Sequence, residues 1–201
     1  MNLNDTKDLE ALYDLKVGNE RFISGKVRTD GQAKSDITRL TTGQNPHAVV
    51  LSCSDSRVPP EVVFDQKLGE LFTVRSAGET LSPQAIGNIE FAIEKLGTHL
   101  VFVLGHTNCG AVKAAVETMN GQSAGSENLD KLVEDIHPRI KSKFNEKNPS
   151  KDLKEESWLN ARGVAKDLVS RSTLIAKSVT SGKIVIKVGL YHLATGSVEF
   201  E

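Results

Sequence analysis

Short apolar runs constrain the fold of this chain more than any other feature of its sequence. Ala48–Leu51 and Leu100–Leu104 contain only apolar residues, a pattern typical of strands that are buried on both faces of a sheet. Leu71–Val74 and Ile184–Tyr191 are rich in β-branched and aromatic residues, and Val198–Phe200 is a shorter run of the same kind. We therefore predict four main strands and one short final strand.

Helical patterns separate these runs. Ser82 and Pro83 form a typical helix start, with serine as the N-cap and proline at the first helical position, and Gly97 is placed to end that helix. Because strands alternate with helices, we expect an α/β fold whose mainly parallel sheet is covered on both faces. The predicted helices span 9–22, 36–41, 83–96, a segment that opens at Cys109, 128–144 with an interruption at Pro138, and 152–179.

Length and charge narrow the classes of function. A chain of 201 residues can form one domain with a substantial core. Its net charge of −1 does not indicate a nucleic-acid or membrane-binding surface. Met1–Asp5 lacks the basic and apolar regions of a signal peptide, and Leu100–Leu104 is too short to span a bilayer. We expect a cytoplasmic protein that binds neither nucleic acid nor membranes.

The only two cysteines, Cys53 and Cys109, lie at predicted strand ends together with His106. Because carboxyl ends of parallel strands share one edge of the sheet, Cys53 after the first strand and His106 after the third are expected to meet. Two thiolates and one imidazole suit a catalytic zinc site with an open fourth position. The alternatives are a pair of buried thiols or one disulfide, which would be unusual in a cytosolic protein.

Asp55 and Arg57 lie within four residues of Cys53. They could form a surface ion pair that contributes about 0–1 kcal/mol. Beside a metal, Arg57 could instead hold Asp55 off the ion, so that Asp55 orients a metal-bound hydroxide. If Asp55 bound the metal itself, the site would be closed to a reactive water. The remaining histidines, His47, His99, His137 and His192, show no ligand spacing.

Three motifs closely resemble those of the β-class carbonic anhydrases: Cys53–Glu61, Leu71–Gly78 and Gly105–Val112. The similarity extends from Gly18–Phe22 to the strand near Tyr191 and so covers nearly the whole chain. It implies reversible hydration of CO2 to bicarbonate and a proton, by attack of a zinc-bound hydroxide that the Asp55–Arg57 pair orients. The implied cofactor is one Zn²⁺ per subunit, held by Cys53, His106 and Cys109.

The resemblance also implies the architecture. It predicts one domain over 1–201, with a Rossmann-like, mainly parallel sheet of four strands plus an antiparallel edge strand and helices on both faces. Residues 1–45 would be an N-terminal helical arm that packs on a partner subunit, and 46–201 the α/β core. The expected assembly is a homodimer or homotetramer.

Residues that contact substrate are implied position by position. Gln44 is similar to a glutamine that binds substrate across the dimer interface, although its neighbours also suit a turn. The backbone N–H of Gly110 is similar to one that contacts a bicarbonate oxygen. Phe72, Ala77 and Phe91 match an apolar pocket for CO2, although core packing would equally explain them.

Two departures from the family pattern affect what the resemblance implies for the site. Ser76 and Glu79 replace residues that are commonly asparagine, which puts rate and proton transfer in doubt. Val50 replaces the tryptophan of the bicarbonate-inhibited subgroup, so we expect Asp55 to be paired with Arg57 and the metal site to be open.

Three alternatives remain. The enzyme could hydrolyse carbon disulfide or carbonyl sulfide, or the chain could be a non-catalytic zinc protein that senses bicarbonate or a partner. The ligands would also suit cobalt or iron in place of zinc.

Overall fold

The computed structural model of the chain describes residues 3–31, 33–144 and 149–201. A central five-stranded sheet has the order β2-β1-β3-β4-β5. The strands are β1 (Ala48–Ser52), β2 (Leu71–Arg75), β3 (Leu100–His106), β4 (Val185–Tyr191) and β5 (Val198–Phe200). The helices are α1 (Leu3–Ile23), α2 (Lys34–Leu40), α3 (Pro60–Val63), α4 (Pro83–Lys95), α5 (Gly110–Met119), α6 (Glu127–Phe144), α7 (Lys154–Arg171) and α8 (Thr173–Thr180).

The sheet confirms the predicted fold class. Strands β2, β1, β3 and β4 pair in parallel, whereas β5 pairs with β4 in the antiparallel direction. Every residue of β1 and β3 is buried, as their uninterrupted apolar sequences predict for strands covered on both faces. The α/β architecture is therefore the predicted one, including the antiparallel edge strand.

Two apolar layers cover the two faces of the sheet. On one face, Val49 and Val101 pack with residues of α4, α7 and α8, such as Ile89. On the other face, Val50 and Phe102 pack with α1 and with the segment around α3. Neighbouring residues of a strand point to opposite faces, so the same short run supplies both layers. Complete burial of one large side chain, such as that of Phe102, contributes about 1.5–3 kcal/mol.

Helix α1 begins earlier than predicted but occupies the predicted segment. It buries Ala11 and Leu15 in the apolar layer of its own chain, and it leaves Leu9 and Tyr13 exposed. Packing of the 1–45 arm on a partner subunit stays a prediction. No helix within the described ranges combines the length and apolarity needed to cross a membrane.

Two helix predictions are wrong. The predicted helix 152–179 is divided at Ser172, which is extended (φ −130°, ψ 113°) and whose side chain accepts the N–H of Ile175 as the N-cap of α8. The predicted interruption at Pro138 does not occur, because α6 continues through it to Phe144. Ile136 and Ile140 are buried on either side of this proline, and their packing offsets the loss of one helical hydrogen bond.

The strand order places a crevice at the carboxyl ends of β1 and β3. β1 lies between β2 and β3, so the chain leaves the carboxyl end of β1 toward β2 and leaves that of β3 toward β4, in opposite directions. Ligands of doubly wound sheets bind at such a switch point, beyond the carboxyl ends of the strands. Cys53 directly follows β1, and His106 is the last residue of β3.

Candidate metal centre

Cys53, His106 and Cys109 form a compact buried cluster at this crevice. Their candidate ligand atoms all lie within 4.8 Å of one another, and the two sulfurs are 3.9 Å apart. No other group of three such side chains meets this condition in the part of the chain that the structure describes. The remaining histidines therefore do not contribute to a comparable cluster there.

Backbone contacts fix the two loops that carry these residues. Arg75, at the end of β2, donates from Nε to the Cys53 carbonyl (3.0 Å) and from Nη2 to the Asp55 carbonyl (2.6 Å). The Gly78 N–H donates to Cys53 Sγ at 3.3 Å. On the other loop, Cys109 is the N-cap residue of α5. The sulfur of Cys53 thus lies under an amide donor, and that of Cys109 lies at the positive end of a helix.

The orientation of the His106 ring suits a metal ligand. Its Nδ1 lies 2.9 Å from the Thr107 carbonyl oxygen, which can only accept, so Nδ1 carries the proton and Nε2 presents a lone pair. Nε2 is buried and makes no hydrogen bond of normal geometry with any described residue. A buried polar atom without a partner is costly, and a metal ion would satisfy it. Two sulfurs and this nitrogen match the donor set of a catalytic zinc site.

The two cysteines titrate as a pair. The hydrogen bond with Cys109 is the main cause that lowers the pKa of Cys53 to about 4, and contacts with His106 and the Gly78 N–H act in the same direction. The same bond, followed by burial, raises the pKa of Cys109. The sulfurs therefore share one proton, and a bound dication would replace it.

Asp55 lies beside the cluster but is engaged by Arg57. Asp55 Oδ1 accepts from the Arg57 backbone N–H and from Arg57 Nε, both at 2.9 Å, and Oδ2 accepts from Arg57 Nη2 at 2.6 Å. These hydrogen bonds hold the pKa of the carboxyl well below its usual range. Oδ2 is also 3.9 Å from His106 Nε2. The carboxylate is therefore an anion beside the cluster, hydrogen-bonded to Arg57.

The other predicted site residues differ in their distance from the metal cluster: Gly110 and Ala77 lie next to it, and the other three lie away from it. Gly110 directly follows Cys109 as the first residue of α5, and Ala77 lies in the 3-10 turn Ala77–Glu79 beside Cys53. Gln44 is exposed before β1, at the opposite end of that strand from Cys53.

Phe72 and Phe91, like Gln44, lie away from the metal cluster. Phe72 pairs with Val49, three residues before the end of β2, which at the rise of a strand is about 10 Å away from the cluster edge. Its ring contacts that of Phe91, with centroids 6.2 Å apart. One chain by itself does not bring Gln44, Phe72 and Phe91 to the cluster, and the roles of all five residues stay predictions.

Sequence reasoning missed the polar support behind Cys53. Glu79 is 1% exposed, and burial is the main cause that raises the pKa of its carboxyl well above the usual range, followed by the charge of Cys53. Its Oε2 accepts a hydrogen bond from Asn160 Nδ2 at 3.0 Å. Glu79 stands out in the sequence only as a departure from the family motif. Asn160, in the middle of a helix, gives no signal at all.

Comparisons with known proteins agree on one family. The family model described as carbonic anhydrase matches residues 48–198. "Carbonic anhydrase 2" of Mycobacterium tuberculosis is 33% identical over 192 residues, which cover 96% of this chain and 92% of that protein. "Carbonic anhydrase" of Mycolicibacterium smegmatis is 37% identical over 185 residues, with coverage of 92% and 89%.

Solved structures share the fold. The β-carbonic anhydrase CcaA superposes with a TM-score of 0.73 at 21% identity, covering 94% of each chain. One of two tetrameric β-carbonic anhydrases of Sordaria macrospora superposes with a TM-score of 0.71 at 19% identity, covering 84% of this chain and 87% of that one. At these identities the likeness shows the fold alone, and the family rests on the sequence matches.

Proposed function

The chain belongs to the β-class carbonic anhydrases, lyases that hydrate CO2, and we propose that Cys53, His106 and Cys109 hold its one zinc ion per subunit. The observation that carries the proposal is the buried Nε2 of His106, which lacks a hydrogen-bond partner among the described residues and lies beside two sulfurs that are 3.9 Å apart. A zinc ion there would act as a Lewis acid and lower the pKa of a water molecule, so that it can attack the carbon of CO2.

Asp55 directs the attacking water. Arg57 uses both carboxylate oxygens of Asp55, at 2.9 and 2.6 Å. Because Oδ1 also accepts the Arg57 backbone N–H, only Oδ2 keeps a further lone pair. Oδ2, which lies nearest to His106, can therefore accept a hydrogen bond from the water and turn its nucleophilic lone pair toward substrate. Arg57 restrains the carboxylate through two parallel charge-assisted bonds, so that it does not occupy the position of the water.

Substrate oxygens are bound at the start of α5. Gly110 is the first residue of this helix, where backbone N–H groups lack partners within the helix and carry the positive end of its dipole. The Gly110 N–H would stabilise the negative charge that develops on oxygen as CO2 becomes bicarbonate. Ala77 would line the apolar side of the same space.

Gln44, Phe72 and Phe91 would serve the site of a second subunit. All three lie away from the metal cluster of their own chain, and Gln44 and Phe91 are exposed. A homodimer or homotetramer, with the 1–45 arm on the partner and 46–201 as the core, would bring them to the neighbouring crevice. Tetrameric proteins of the same fold support such an assembly.

We also propose a cytoplasmic location, where a reducing medium keeps the free thiols of Cys53 and Cys109 available.

The test is CO2 hydration measured by stopped flow on the wild type and on Asp55→Asn, together with zinc content by elemental analysis. We expect one zinc per subunit in both proteins and a loss of kcat of about 10²-fold or more in the variant. Glu94→Gln is the matched control, because Glu94 pairs with Lys183 near the start of β4, at the opposite edge of the sheet. Full activity of Asp55→Asn would refute the mechanism, and an inactive, zinc-loaded wild type would favour a binding protein.

A further inference from the structure

Asn160 connects the body of the domain to the loop that lies against Cys53. The side chain of Asn160 is completely buried on α7. Its Nδ2 donates both hydrogens, one to the Gly78 carbonyl at 2.8 Å and one to Glu79 Oε2 at 3.0 Å. Gly78 in turn donates its N–H to Cys53 Sγ. Asn160 thus acts on a predicted metal ligand through one intervening residue.

The third contact of Asn160 joins it to a fixed arginine. Arg139 Nη1 donates to Asn160 Oδ1 at 3.3 Å, while its Nε and Nη2 donate to Asp167 and Asp135 at 2.9 and 2.8 Å. The Arg139 side chain is only 3% exposed. Its stem passes over Gly163, where a Cβ would lie 2.5 Å from Arg139 Cγ. Both Nδ2 and Oδ1 of Asn160 are therefore hydrogen-bonded to groups whose positions are fixed by further contacts.

The loop at Gly78 needs such support, because its backbone is strained. Gly78 and Glu79 are consecutive left-handed residues, with φ of 65° and 53°. A non-glycine residue such as Glu79 adopts this conformation only where the surroundings over-determine it. The two hydrogen bonds from Asn160 hold both of these residues, one through the backbone and one through the side chain.

We propose that Asn160, anchored by Glu79 and Arg139, is a positioning residue for the metal centre: it keeps the Gly78 N–H on the sulfur of Cys53. This inference rests on the proposed zinc ligands. An amide donor on a thiolate stabilises the charged ligand, and groups that orient the ligands of a metal change its affinity by about 10–100-fold when they are removed. In this role Asn160 helps to retain the metal and does not contact substrate.

The experiment measures how fast zinc leaves the loaded enzyme for a chromogenic chelator at pH 7.5. We expect Asn160→Ala to lose zinc about tenfold faster than the wild type, or more. Asn19→Ala is the matched control. Asn19 is also buried and makes three hydrogen bonds, to the carbonyls of Val63 and Gly196 and from the N–H of Val198. Its removal should cost comparable stability and leave the rate of zinc loss within about twofold of the wild type.

A pair of variants at Glu79 keeps the proposal testable if Asn160→Ala does not fold. Glu79→Gln retains an oxygen that can accept from Asn160 and should hold zinc like the wild type. Glu79→Leu fills a similar volume without an acceptor and should lose zinc several-fold faster. If both variants behave alike, or if Asn160→Ala behaves like Asn19→Ala, the positioning role is wrong.

Failure of the two proposals can be told apart. A wild-type protein that takes up no zinc would refute the ligand assignment and with it the role of Asn160. A wild type that holds one zinc per subunit, alongside Asn160→Ala that holds it equally long, would leave the ligand assignment intact and refute the positioning role alone.

Discussion

Substitution of Gly78 by alanine should damage both stability and the metal centre. An ideal Cβ on Gly78 would lie 2.7 Å from Ile136 Cδ1 and 2.9 Å from Ala111 Cβ, closer than packed carbon atoms approach. Overpacking of this kind costs about 1–3 kcal/mol. The left-handed conformation at φ 65° costs alanine about a further 1–2 kcal/mol. Together the two effects predict a loss of about 2–5 kcal/mol in the free energy of unfolding.

Gly97→Ala separates the two causes. Gly97 has nearly the same backbone, with φ of +68°, but a Cβ there would meet nothing within 4 Å. This variant should therefore lose only the conformational part, about 1–2 kcal/mol. For a chain of this size, each kcal/mol lowers Tm by about 2–4 °C. Gly78→Ala should thus melt well below Gly97→Ala, and the difference reports the contacts with Ile136 and Ala111.

The assay is thermal unfolding of the zinc-loaded proteins, followed by the chelator experiment on each. We expect faster zinc loss from Gly78→Ala, because a displaced loop moves the amide donor away from Cys53, and an unchanged rate from Gly97→Ala. Equal melting temperatures for the two variants would refute the steric argument. Zinc loss at the wild-type rate in a destabilised Gly78→Ala would refute the link between this loop and the metal.

Two further outcomes concern the charged groups of the site. Arg57→Gln should change the urea-unfolding free energy by less than about 1 kcal/mol, because the Arg57 side chain is 58% exposed. It should still lower kcat by about tenfold or more by releasing Asp55; unchanged kcat would contradict this. Burial raises the pKa of Glu79 in the folded state. Above the unfolded pKa of about 4.3, the folded protein therefore keeps a proton on Glu79 that the unfolded protein has lost, and wild-type stability falls as pH rises. The stability gained in Glu79→Gln should therefore grow from pH 5 to pH 8 in urea titrations, and a difference independent of pH would contradict the buried acid.

Much of the fold could be predicted because its strands are short and buried on both faces. Apolar runs as short as Ala48–Leu51 are typical of strands buried on both faces and are shorter than most helices. Errors arose where tertiary packing overrides local preference. Pro138 is tolerated because Ile136 and Ile140 hold α6 against its neighbours. The break at Ser172 depends on a side chain that both caps α8 and donates to Glu90 Oε1 at 2.5 Å.

The chemistry of the candidate site can be predicted from residue types and strand order. With only two cysteines, and with His106 at the end of a buried strand, the donor set and the edge of the sheet followed from residue type and strand order. How this set is held depends on contacts that form only in the folded chain. Asn160 and Arg139 lie far from Cys53 in the chain, and hydrogen bonds join them to its loop across helix and sheet. Such contacts leave no local pattern, because they depend on where the ends of separate elements meet in space.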